Sequence, residues 1–206
     1  MYVPPHFNAP EPSAAHDVID ANPFALLVSA GGADLAGTHL PLDLDRARGP
    51  QGTLIGHMAR ANDHWRALDG AATLAIFSGP HAYVSPRWYA GGPAVPTWNY
   101  VAVHVYGRAR VVETPDRLRE ILAALTRRYE GDGPWRMGEL PEKFLDAMVR
   151  GIVGIEIEVA RIEAKFKLSQ NRSAADRDGV AAALEATGDA GDAALAATMR
   201  RLAAKA

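Results

Sequence analysis

Apolar positions alternate with period two over several short runs, and that pattern predicts a set of strands before anything else is considered. Phe24–Ala30 is an apolar run of strand length, and Leu35–Leu44 reads as the returning strand of a hairpin across a Gly31-Gly32 turn. Pro41 inside that second strand argues for an edge or a bulge, because proline cannot donate to a ladder. Gly49-Pro-Gln-Gly52 is a turn, Thr53–Met58 a third strand and Ala71–Phe77 a fourth. Asn62 is a candidate cap for a short helix through Leu68. Residues 78–96 are rich in Gly, Pro and aromatics and read as a long loop with an extended piece at Ala82–Ser85. Thr97–Glu113 is the longest strand candidate. Val101, Val103 and Val105 alternate there with Trp98, Tyr100, His104 and Tyr106, so both faces are expected to be covered.

Helical spacing takes over at the N-terminus, after this strand and at the C-terminus. Ser13 is a candidate cap for a short helix over Ala14–Ala21. Thr114 and Pro115 suit a helix start, followed by Leu118, Ile121, Leu122, Leu125 and Tyr129. A shorter helix over Pro141–Arg150 carries Phe144, Leu145, Met148 and Val149 as its packing residues. In Ile152–Leu168 the apolar phase runs through Ile155, Ile157 and Val159 and then shifts to Ile162, Phe166 and Leu168. A one-residue slip turns every side chain to the other face, so a bulge is expected near Ala160-Arg161. Ala174–Thr187 and Ala190–Ala204 read as alanine-rich helices. The fold class is therefore mainly β with α additions: an antiparallel barrel core with C-terminal helices.

Composition narrows the chemistry. The 206 residues carry 22 basic and 24 acidic side chains and no cysteine. A slight acidic balance argues against sequence-independent polyanion binding, and the absence of cysteine removes disulfides, thiol nucleophiles and cysteine-bearing metal sites. No apolar run approaches the roughly 20 residues of a membrane span, and the proline-rich N-terminus does not read as a signal peptide. The expectation is a soluble, cytoplasmic protein of one domain.

Several motifs fail on inspection. Asp176, Asp178, Gly179 and Glu185 fit part of a calcium loop, but Ala174 occupies its first ligand position. No nucleophile elbow, phosphate loop, dinucleotide fingerprint or zinc-protease motif occurs, and no metal site is assigned. The C-terminal helix pair could be a helix-turn-helix, yet its four basic and five acidic residues lack the surplus that phosphates require. Polar residues concentrate instead at strand ends. Thr38 and His39 lie in the second strand, and His57, Met58, Arg60 and Asn62 run from the third strand toward a capped turn. That stretch is a candidate phosphate cradle, with a plainer reading as a surface arginine beside an ordinary cap. Thr97, Trp98 and Asn99 could line a pocket for a flat heteroaromatic ring, or form a core aromatic pair beside a turn asparagine.

The strings Met1-Tyr-Val-Pro-Pro-His-Phe7, Thr38-His-Leu-Pro-Leu42, Gly56-His-Met-Ala-Arg-Ala-Asn62, Tyr83-Val-Ser-Pro-Arg-Trp-Tyr89, Val95-Pro-Thr-Trp-Asn-Tyr100 and Lys165-Phe-Lys-Leu-Ser-Gln-Asn171 occur in this order. Together they resemble the PaiB-like family, the FMN-binding negative transcriptional regulators, over about residues 1–185. The resemblance implies a split β-barrel like that of pyridoxamine phosphate oxidases, over 1–172, with a helical extension over 173–206. It implies a homodimer with FMN at the subunit interface. The His57–Asn62 segment would be the phosphate end, and Thr97 and Asn99 would lie near the isoalloxazine. Lys167, Gln170 and Asn171 would close the pocket, in one arrangement from the partner subunit. Asp63 departs from the family's proline after the asparagine, and an acidic group turned inward there would weaken phosphate binding. A regulatory role would be exercised on DNA directly, or indirectly through flavin redox state or a regulatory protein. The alternative is a flavin-dependent oxidoreductase, of flavin reductase or pyridoxamine phosphate oxidase type, with His104 or His39 aiding proton delivery. A third reading is a binder of another flat cofactor, such as haem, through a histidine.

Overall fold

The computed structural model describes residues 1–31 and 34–204. Its elements are α1 (Pro12–Ala21), β1 (Phe24–Gly31), β2 (Asp34–Asp45), β3 (Thr53–Ala59), β4 (Ala72–Val84), β5 (Thr97–Val112), α2 (Pro115–Glu130), α3 (Glu142–Arg150), β6 (Ile152–Lys167), α4 (Ala174–Ala186) and α5 (Ala190–Ala203). The strands follow one another in the order β1-β2-β3-β6-β5-β4 and close into a barrel. The helices are the expected additions, and the fold is the split β-barrel with C-terminal helices. The turn expected at Gly31-Gly32 falls partly outside the described residues.

The chain forms two compact units, and β4, β5 and β6 each run through both. One unit holds Asn22–Phe77 and Val105–Ile162. Here β1 pairs with β2 from Gly31↔Asp34 to Phe24↔Pro41, and β2 pairs with β3 from Leu42↔Gly56 to Asp45↔Thr53. β2 has a neighbour on each side, yet Pro41 pairs with Phe24 alone, so the edge expected from the sequence is a local one inside the strand. Pro41 stands where β2 changes partners, so its missing N–H falls at the hand-over. The next amide, Leu42 N–H, donates to Pro23 O at 2.9 Å. The crossing is close: a Cβ on Gly56 would lie 2.5 Å from Pro41 O, which only glycine avoids.

Alternation decides which side chains go inside. Leu42, Leu54, Phe77, Val105, Ile155 and Ile157 are fully buried, each contributing about 1.5–3 kcal/mol by leaving water. Helix α2 buries Leu118, Ile121 and Leu125. It approaches β6 at Gly154, where a Cβ would sit 2.9 Å from Ile121 Cδ1. In α3 only Leu145 and Val149 are buried. Phe144 and Met148, expected to pack, are about half exposed.

The other unit holds Met1–Ala21, Ser78–His104 and the chain from Glu163 onward. Its core joins Ala82, Val84 and Val101 of the strands to Phe166 and Leu168, and to Val180, Leu184, Leu195 and Met199 of α4 and α5. Strand β4 continues unbroken to Val84, so residues 78–81 are not the loop expected, while the extended piece expected from Ala82 is the end of this strand. Gly79, inside the stretch read as a loop for its Gly and Pro content, serves packing instead: a Cβ there would meet Val101 Cβ at 3.0 Å. In β6 the burial phase changes as the sequence demanded. Val153, Ile155, Ile157 and Val159 are buried, residues 160 and 161 are exposed, and burial resumes at Lys165 and Phe166. The ladder with β3 stops at Thr53↔Glu158, while β6 itself remains one continuous strand.

A carboxylate is buried deep in the first unit. Glu156 is 2% exposed and accepts from Arg48, Arg110 and Arg117. The Arg48 hydrogen bond first, and then those of Arg117 and Arg110 against the cost of burial, hold its carboxyl down at about 2. The stabilisation is fully present above the ordinary value of 4.5 and is lost as pH falls through about 2. Glu156→Ala should lower stability by about 3 kcal/mol, the low end for breaking a buried pair, because the arginines remain wet. Urea midpoints measured from pH 7 to pH 2 should show the wild type losing its advantage over the variant below about pH 4.5.

Candidate functional site

The second unit contains a pocket of about 190 Å³ built where the start of β5 meets the end of β6. Thr97, Asn99, Lys167, Ser169, Asn171 and Arg172 supply its polar lining, and Phe7, Tyr89 and Val95 its apolar walls. Lys167 donates to Thr97 Oγ1 and, at 2.7 Å, to Trp98 O. Both partners are neutral. Among the described residues no carboxylate lines the pocket. Burial, and then the charge of Lys165, push the Lys167 ammonium below its ordinary value. Arg172 is the second cation, its guanidinium lying over the Tyr89 ring at 4.6 Å.

The turn after β6 is held in a strained form. Ser169 has φ +64, a left-handed conformation that costs a non-glycine residue of order 1–2 kcal/mol. Asn99, 1% exposed, donates to Ser169 Oγ at 2.9 Å. Gln170 bonds back onto its own turn, accepting from Leu168 N at 2.7 Å and donating to Phe166 O. Gln170 is therefore a brace for the turn rather than a donor to the pocket. Trp98 is 54% exposed and meets Tyr83 edge-on at 6.3 Å.

Thr38 and Asn62 meet in the first unit, joined by two residues that no sequence pattern singled out. Asn62 Nδ2 donates to Thr38 Oγ1 at 3.0 Å. His64 places Nδ1 at 2.8 Å from that same hydroxyl and Nε2 at 2.9 Å from Ser29 Oγ. Asn62 does cap a turn, accepting from His64 N at 3.1 Å, but the turn is a five-residue 3-10 segment over Asp63–Ala67. So few aligned peptides give no useful helix-end field, and the expected anion cradle at a helix start is not formed.

The remaining candidates lie apart. Arg60 Nη1 pairs with Glu113 at 2.6 Å, while Nε donates to Arg150 O and Nη2 to Ile152 O at 3.0 and 3.1 Å. Its fork clamps the end of β3 to the start of β6. His57 lies on the opposite face of β3 from buried Met58, in a separate pocket beside Leu125 and Tyr129 of α2. Its Nδ1 is buried without a hydrogen-bond partner. His39 is exposed and stacks on Phe24 at 5.8 Å. Asp63 points outward, pairing with Arg66 at 2.9 Å, so the departure from the family pattern brings no negative charge inward. The missed contributors are Phe7, Tyr89, Ser169 and Arg172 in one unit and Ser29 and His64 in the other. Phe7, Tyr89 and Ser169 lay inside strings already singled out.

Comparison with known proteins adds a family. Residues 1–161 match the model described as "Putative FMN-binding domain". The chain is 37% identical over 179 residues, 85% of each chain, to the protease synthase and sporulation protein PAI 2 of Bacillus subtilis. It is 32% identical over 222 residues to an uncharacterized protein of Emericella nidulans, covering 87% of this chain and 88% of that one. Among solved structures, the FAD and heme binding protein from Mycobacterium smegmatis superposes with a TM-score of 0.60 at 18% identity, over 88% of this chain and 80% of that one. That last likeness is one of fold. The Lys167 pocket suits part of FMN. Two cations answer a phosphate, and hydroxyls and amides answer ribityl and carbonyl oxygens. Its volume is below the roughly 300 Å³ at the small end of ligand pockets, so it has room for one end of such a cofactor and not the whole.

Burial lowers His57, His64 and His104 from the ordinary 6.5. Each is held neutral by the fold. Its contribution is complete above pH 6.5 and falls away as pH drops through the lowered value. Resolved imidazole titrations by NMR should place His64 and His57 below 6.5. His64→Gln should flatten part of the stability loss that sets in below pH 6.5.

Proposed function

The chain belongs to the FMN-binding domain family, and from that premise we propose that the Lys167 pocket receives the phosphate end of FMN while a second copy of the chain covers the rest. The observation that carries this reading is the uncompensated charge of Lys167, a part-buried ammonium with only neutral acceptors beside it. A phosphate placed there would gain a charge-assisted hydrogen bond and relieve the repulsion from Lys165. Arg172 would give a second contact, and Thr97, Asn99 and Asn171 would orient the adjoining ribityl and ring oxygens. Bound FMN supplies redox chemistry that the side chains do not have to provide. Among the described residues the lining offers cations, hydroxyls and amides, groups that bind and orient.

Size supports a homodimer. The pocket takes only part of the cofactor, and exposed Trp98, Tyr83 and Val95 form apolar surface that a symmetric mate would cover. The boundary of the flavin-binding domain then falls at residue 172, directly after the pocket's last lining residue, with 173–206 as its helical extension. The Bacillus relative's name ties that protein to protease synthesis and sporulation. We read this chain likewise as a cytoplasmic regulatory flavoprotein. The acidic balance of the C-terminal helices favours action through a protein partner over direct DNA contact. A flavin-dependent oxidoreductase is the alternative, and bleaching of the yellow protein by NAD(P)H would select it.

The test compares two cations with two flavins. Lys167→Met should weaken FMN roughly tenfold to hundredfold, the worth of one charge-assisted hydrogen bond, and leave riboflavin nearly unchanged. Arg60→Ala should change neither affinity by more than about twofold, within the range of a surface ion pair, because its charge is already answered. Loss of FMN but not riboflavin in Arg60→Ala alone would return the phosphate to the His57–Asn62 segment. Sedimentation of the flavin-loaded protein should give twice the 22.0 kDa chain mass, and a monomer at micromolar concentration would overturn the dimer.

A further inference from the structure

A third pocket, of about 340 Å³, lies in the unit that holds β1–β3 and α2, and is bounded by Arg48, Arg108 and Arg110 with Thr53, Glu156 and Glu158. We propose that it is an anion site distinct from the flavin pocket, taking a phosphate dianion either free or as a small phosphomonoester. The argument starts from Glu156. Arg48 Nη2 reaches Glu156 Oε2 at 2.6 Å, and Arg110 Nη2 uses the same oxygen. Arg117 takes Oε1 through two nitrogens at 2.7 and 2.9 Å and also reaches Glu120 at 2.7 Å. Arg117 is thus answered twice, whereas Arg48 and Arg110 share one oxygen. Two guanidiniums on half a carboxylate leave positive charge over and above what Glu156 cancels.

Arg108 adds to that surplus. Its Nη1 donates to Gly70 O at 2.9 Å, and among the described residues no carboxylate pairs with it. The Arg48 backbone is fixed in turn, since its carbonyl accepts from Thr53 Oγ1 at 2.9 Å. Buried Glu156 therefore pre-orders two guanidinium forks whose remaining N–H groups are available to a ligand. Planar forks match phosphate oxygens in pairs, and the volume is within the range of small-ligand pockets. Two carboxylates oppose the anion. Asp45 lies near Arg48 but turns an oxygen to Ala47 N at 3.1 Å. Glu158 lines the pocket and is exposed. Their presence sets the direction of a control.

The experiment titrates the flavin-loaded protein with inorganic phosphate and with ribose 5-phosphate by calorimetry, at constant ionic strength with chloride as the reference anion. Saturable binding of either should weaken roughly tenfold to hundredfold in Arg110→Gln and in Arg108→Gln, as expected for a lost charge-assisted contact. Both residues are exposed, and Glu156 keeps Arg48 and Arg117 in the first variant, so folding is retained. Glu158→Gln should tighten binding, a direction that general loss of structure cannot produce. Tighter ribose 5-phosphate than inorganic phosphate would identify a phosphomonoester as the ligand, and the reverse order a free phosphate. The proposal is overturned if neither probe binds above the chloride reference, or if the arginine variants bind as the wild type does. It is equally overturned if Arg108→Gln or Arg110→Gln lowers flavin content, because the pocket would then belong to the cofactor. Binding by duplex DNA with none by either small phosphate would also overturn it.

Discussion

Glu156 is the point on which the strand-rich unit depends. Its carboxylate collects the connection between β2 and β3 through Arg48, the far end of β5 through Arg110, and the start of α2 through Arg117. Three pieces of chain, 108, 46 and 39 residues away in sequence, therefore have to be placed correctly before one buried charge is satisfied. The hydrophobic alternation of β2, β3 and β6 decides which faces go inward but tolerates sliding along the strand axis. A buried carboxylate does not, because each misplaced arginine leaves charge unpaired at low dielectric. The apolar core supplies most of the stabilisation and the ion cluster supplies position.

The legible parts of this chain are those set by neighbours in sequence. Period-two alternation exposed β2, β3 and β5, and helical spacing exposed α2. The change of phase after Val159 was visible because it is a local count. What went wrong also has local causes. Gly79-Pro80 carries the chemistry of a turn, yet Gly79 is there because Val101 lies where a side chain would be. Pro41 carries the chemistry of an edge, and only the pairing of Phe24 and Gly56 on either side of the hand-over shows that this edge is local, inside a strand with two neighbours. Neither contact is readable without the third dimension.

The site shows the same division. Thr97, Asn99, Lys167 and Asn171 stood out because two motif strings contain them, and the fold brings all four to one pocket. Thr38 and Asn62 also meet, but through His64 and Ser29. Arg60 stood out for its residue type and its place after a strand. Its partners, Glu113, Arg150 O and Ile152 O, lie 53 to 92 residues away, and nothing in the segment discloses them.

On the proposed reading, charge compensation, more than residue type, separates a binding cation from a scaffold cation. Arg60 has a carboxylate and two carbonyls, so an incoming phosphate would have to displace partners already made. Lys167 has a hydroxyl and a carbonyl, which orient an ammonium but leave its charge in place. Between them lie Arg48 and Arg110, fixed by a carboxylate that they must share. A lysine suits the first kind of binding site because a compact, strongly hydrated charge gives up more when it is partly buried and so gains more from an anion. Arginine suits the shared kind, since one edge of its fork can hold the scaffold while the other faces outward. The acidic total of the chain conceals both arrangements, because net charge sums over groups whose fields are already cancelled by their neighbours.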